Sequence, residues 1–133
     1  MTQFVLLSHY TDDEGRLTPM SEWDPADARA HLDHLRDLNA ELLDSGELVG
    51  MRALAGPDLA KVVRFRDGAP VVTDGPFPET KEFLAGWQLL DVDSEERALE
   101  IASRTSQAPG PGGGPLGQPI EVRQIMFGVG GDL

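Results

Sequence analysis

The sequence predicts an α+β domain, an antiparallel sheet with two helices on one face. Two segments carry capped, helix-spaced apolar residues, and short apolar runs bounded by turn residues read as strands. Their order is strand, helix, strand, hairpin, strand, helix, strand. At 133 residues, a single domain over 1–133 is expected.

Phe4 to Leu7 form a continuous apolar run, as suits a central strand. Residues 11–23 are polar and read as a loop. Asp24-Pro25 opens the first helix, the aspartate capping it and the proline taking the first helical position. Ala28, Leu32, Leu35, Leu38, Leu42 and Leu43 form one stripe, and Gly46 stops the helix after Ser45. Glu47 to Ala55 reads as a strand closed by Gly56-Pro57. Lys61 to Arg66 and Pro70 to Thr73 flank Asp67-Gly68, a hairpin signal. Phe77 to Phe83 reads as a charged loop or short helix.

Gly86 to Val92 is the next strand. Ser94 caps a second helix that runs to Arg104 or Thr105, with Ala98, Leu99, Ile101 and Ala102 on its inner side. Residues 108–119 hold five glycines and four prolines, which build neither helix nor ladder, and read as an irregular or disordered loop. Ile120 to Phe127 closes the sheet, and residues 128–133 read as a flexible tail. This is a ferredoxin-like βαββαβ order with an inserted hairpin. Strands such as FVLL, GWQLL and IMF are apolar on both faces, and two helices cover only one. A second copy is expected to cover the other, sheet against sheet, as a homodimer.

With 11 basic and 23 acidic residues the formal charge is −12. Such a surface repels phosphates, so neither direct nucleic-acid binding nor attachment to an anionic membrane is expected. No cysteine is present, which excludes disulfides, thiolate nucleophiles and Cys-ligated metals. No apolar run approaches a membrane span, and the N-terminus lacks the basic and apolar regions of a signal peptide. A cytoplasmic location follows by elimination. There is no HExxH motif, and Gly112-Gly113-Gly114 lacks the Lys-Ser/Thr of a phosphate-binding loop. Neither a metal nor another cofactor is expected.

Thr73-Asp74-Gly75-Pro76-Phe77, followed by Glu79, Lys81, Glu82 and Gly86, resembles the DGPF-domain proteins of the YCII-related family. The resemblance extends over nearly the whole chain, through PETKEFLAGWQLLDVDS to the closing IEVRQIM. Loops 11–23 and 108–119 look longer than in a typical member. The resemblance implies a dimeric α+β barrel of ferredoxin-like subunits. That superfamily includes small-molecule enzymes such as muconolactone isomerases and heme-degrading monooxygenases, whereas the DGPF branch has no generally established reaction. Some members resemble proteins encoded beside extracytoplasmic-function (ECF-type) sigma factors.

Two functional readings follow. One is a small-molecule binder, with or without acid–base catalysis, using a cleft near the DGPF turn. The other is a non-catalytic regulatory or interaction protein linked to an alternative sigma factor system. For the first, Asp74 stands where a strand leaves the sheet and suits a general base or a histidine partner. Its structural alternative is a turn aspartate accepting backbone N–H groups. His31 lies roughly 40° from the centre of the helix stripe and faces the sheet, while His34, about 100° away, is expected in solvent. Arg29-Ala30-His31-Leu32 resembles the Arg-x-x-His-Leu region of the YCII branch, with the arginine one residue closer. The resemblance implies His31 and Asp74 as a catalytic pair, a carboxylate fixing an imidazole. The structural alternative is a histidine satisfied by backbone or water. His9, Lys81, Glu79 and Trp87 complete the candidates for ligand binding. Their plainer roles are a surface histidine, a surface ion-pair cluster and a tryptophan packed in the core or a dimer interface.

Overall fold

The computed structural model describes residues 1–11, 20–75 and 82–131. Four strands form one antiparallel sheet in the order β2-β5-β1-β6, with β1 Thr2–Thr11, β2 Leu48–Ala53, β5 Glu82–Val92 and β6 Ile120–Gln124. The first strand pairs with both β5 and β6, as in the ferredoxin-like βαββαβ arrangement. The inserted strands β3 Lys61–Arg66 and β4 Ala69–Asp74 form a separate two-stranded sheet. Asp67 and Gly68 both have positive φ (53° and 80°), the tight-turn geometry that their sequence favours.

Helix α1 spans Pro25–Ser45 and α2 spans Glu95–Ser106. Asp24 caps α1 by accepting a hydrogen bond from the Ala26 N–H at 2.9 Å. Gly46 ends it in the left-handed region at φ 83°. Ser94 caps α2 by accepting from the Arg97 N–H. Asp24→Ala is expected to lower stability by about 1 kcal/mol in urea unfolding, the usual loss for an N-cap aspartate.

Both helices cover the sheet face that carries Phe4, Leu6, Leu90 and Val92. With Leu38, Leu42, Leu48, Ala98 and Ile101 these side chains make the core. On α1 the buried residues are His31, Leu38 and Leu42. Leu32 and Leu43, expected on the same stripe, are more than half exposed. The stripe spans roughly 140° of the helix at ~100° per residue, and the sheet covers one edge of it.

Two local readings change, and of the two readings of loop 108–119 the irregular one holds. The closing strand stops at Gln124 rather than Phe127, because β1 runs out: Phe4 is opposite Gln124, and the last bond is Ile125 N–H to the Gln3 carbonyl. His34 is not left to solvent. Its Nε2–H donates to the Arg104 carbonyl at 2.8 Å and ties α1 to the last turn of α2. Loop 108–119 is held by its own main chain, with Leu116 N–H on the Ala108 carbonyl and Gly110 N–H on the Gly114 carbonyl, and Ala108 is buried. Residues 77–81 of the segment read as a loop or short helix lie outside the described residues; Glu82 and Phe83 belong to β5.

Candidate functional site

A cavity of about 710 Å³ lies between α1 and the β2–β5 side of the sheet. Its helix wall is the outer half of the α1 stripe, with Leu32, Leu35 and Leu43; its sheet wall includes Met51 and Ala53. The lining is largely apolar; Ser8, Arg36, Arg52 and Gln118 also border it, and two hydrogen-bonded polar stations stand out.

One is His31, only 5% exposed. Its Nδ1 lies 2.9 Å from the Pro109 carbonyl. A carbonyl only accepts, so Nδ1 carries the proton, and in the neutral ring Nε2 holds the lone pair. The Trp23 ring meets His31 edge-on at 5.4 Å between centroids. The proline-rich loop thus reaches back to set a tautomer on the first helix.

The other is a chain of side-chain hydrogen bonds through buried Gln88. Its Nε2 donates to Asn39 Oδ1 at 3.1 Å, and its Oε1 accepts from Thr105 Oγ1 at 3.3 Å. Asn39 uses its oxygen in this chain, so its amide nitrogen keeps two donors. Asn39 follows His31 by eight residues, about 12 Å along a helix. The two polar stations therefore stand well apart along one apolar groove.

The residues expected from sequence are distributed differently. Asp74 is not joined to His31. Its side chain is 87% exposed and pairs with Lys61, its register partner across the hairpin. The hairpin base lies off the main sheet, so Asp74 stays in water while His31 takes the Pro109 carbonyl. His9 and Trp87 follow the alternation of their strands onto the face opposite the helices. Trp87 is opposite Leu7, and His9 opposite Leu84. Trp87 also borders the cavity. His9 Nε2 approaches Glu121 Oε1 at 3.3 Å, and neither ring nitrogen makes an aligned hydrogen bond. Glu79 and Lys81 lie outside the described residues.

Pro109, Asn39, Gln88 and Thr105 were not singled out in sequence. Only Gln88 left a signal: it shares strand parity with Leu90 and Val92, so a polar residue stands at a core-facing position. Among the described residues there is no cluster of His, Asp and Glu suited to a metal, and no helix long and apolar enough to cross a membrane.

The sequence is 34% identical over 102 residues to an uncharacterized protein of Rhizobium meliloti (strain 1021), covering 74% of this chain and 78% of that one. The family model described as the YCII-related domain matches residues 2–110. That span runs from the first strand through both helices to the loop that carries Pro109. The chain therefore belongs to the YCII-related domain family.

Proposed function

We propose that this protein binds an elongated, mostly apolar small molecule in the cavity between α1 and the sheet. The observation that carries the reading is an apolar cavity holding a histidine of fixed tautomer. His31 Nε2 would accept a hydrogen bond from a ligand hydroxyl or N–H, or take its proton in a reaction. The Asn39 amide would donate to a ligand carbonyl about 12 Å away along the helix. In this reading Asp74 is not the partner of His31; the Pro109 carbonyl fills that orienting role.

A thermal-shift screen of a metabolite library tests it. A hit is expected to be lost in Leu43→Arg, which places a charge on the cavity wall from a half-exposed position, and weakened in Asn39→Leu. It should survive in Asp74→Ala. A hit lost in Asp74→Ala and kept in Leu43→Arg would move the site to the hairpin base.

We also propose a homodimer through the face of the sheet opposite the helices. Support comes from its composition. Val5, Leu7, Trp87 and Leu89 share that face by register and are only half-buried, with no helix of the described residues over them. Sedimentation at micromolar concentration should give a two-chain particle; solitary chains would remove this reading.

A further inference from the structure

The β3–β4 hairpin is a two-stranded sheet of its own, apart from the four-stranded one. Strands β2 and β5 pair as far as Ala53 opposite Gly86. Beyond that pair β2 ends, β5 continues along β1 to Glu82 opposite Thr11, and a separate ladder starts at Lys61 opposite Asp74. A two-stranded hairpin is marginal in water unless something packs on it. This one leaves Val63, Phe65, Val71 and Val72 exposed, Phe65 to 78%.

A second apolar appendage follows β6. After the bond from Ile125 to Gln3, the chain carries Met126, Phe127 and Val129 into solvent, Met126 at 88% and Val129 at 94% exposed. Exposed apolar groups so concentrated mark a contact surface. The two appendages leave opposite ends of the same sheet. The hairpin departs beyond the end where Ser8 faces Gly86; residues 125–131 depart where Gln3 faces Asp91.

The charges divide in the same way. Lys61, Arg64 and Arg66 place three of the chain's eleven basic residues in six positions of β3, against Asp67 and Asp74 on the same hairpin, the latter paired with Lys61. At the other end of the sheet stand Asp91 and Asp93, with Glu95 and Glu96 opening α2.

We infer that the hairpin of each copy packs on residues 125–131 of a second copy. The inference rests on the sheet-to-sheet dimer proposed above and adds its symmetry. In a two-fold dimer, a contact of surface i with surface j is repeated as j with i. An axis lying across the strands reverses their direction between the layers, so each hairpin meets the far end of its partner. The apolar hairpin then covers Met126, Phe127 and Val129, and its net positive charge comes to the end of the sheet that holds Asp91 and Asp93. An axis along the strands would instead bring hairpin to hairpin and basic residues to basic residues.

The absence of cysteine makes the test direct. Phe65→Cys and Phe127→Cys chains are mixed, allowed to exchange and oxidised mildly. A mixed disulfide that outweighs both like-with-like disulfides is expected. Val72→Cys with Val129→Cys, both at exposed positions, serves as a second pair if the first folds poorly. Truncation after Ile125 should raise the dimer dissociation constant at least about a hundredfold, since each copy loses several buried apolar side chains. A wild-type monomer would remove the dimer reading itself. A dimer whose affinity ignores the truncation, or in which Phe65→Cys crosslinks chiefly to itself, would overturn the hairpin contact and leave the sheet-to-sheet reading standing.

Discussion

Leu42→Ala is expected to lower the free energy of unfolding by about 3–4 kcal/mol, and the neighbouring Leu43→Ala by less than about 1 kcal/mol. Leu42 is fully buried among Leu38, Leu48, Leu90 and Ile101. Its truncation removes transfer energy and leaves a void that helix and sheet close only partly. Leu43 is 58% exposed and borders the cavity. Its truncation removes less buried surface and opens no new void. Urea unfolding at one fixed chain concentration measures both. Equal losses would mean that the sheet covers the whole stripe and that the cavity is filled in solution.

The same pair of leucines shows how far the sequence could be read. Apolar spacing identified a stripe on α1 but not which half the sheet would cover. That depends on where β2 and β5 stand, which is set by pairing between distant segments. Helix ends were legible because caps are local: Asp24-Pro25 and Gly46 bound α1 at the residues expected. The end of β6 was not, since it is fixed by the start of β1, more than a hundred residues earlier.

The separation of His31 from Asp74 was partly legible. A two-residue turn at Asp67-Gly68 puts Arg66 opposite Ala69 and, counting back, Lys61 opposite Asp74. A carboxylate facing a lysine across an exposed ladder needs no histidine. The resemblance to the YCII branch implies a different partner for it, one that the hairpin register does not favour. What no local rule could supply is Pro109 as the orienting group for His31. Its carbonyl reaches the helix from a loop 78 residues away whose composition announces only irregularity.

Glu47→Gln is expected to cost about 1–2 kcal/mol at pH 7, with the difference from wild type closing as the pH falls below about 4.5. Glu47 directly follows the Gly46 cap, and its carboxylate oxygens accept from Arg97 Nε and Nη2 at 2.7 and 2.9 Å, joining the end of α1 to the first turn of α2. Ser45 Oγ donates to the same carboxylate at 3.0 Å. These bonds, Arg97 foremost, hold the carboxyl below the ordinary glutamate value of 4.5, against the opposing effect of burial. The folded state therefore gives up the ionised form less readily than the unfolded chain does. The stabilisation is complete above the unfolded value and is lost as the pH drops through the lower folded one. Wild-type stability alone would hide this, because acidification also relieves the self-repulsion of a chain with formal charge −12. The difference between wild type and Glu47→Gln largely cancels that background. Arg97→Lys should recover only part of the pairing, since an ammonium cannot span both oxygens as the guanidinium does. A difference constant from pH 7 to pH 3 would mean that Glu47 acts through packing, with its charge contributing nothing to the corner between the helices.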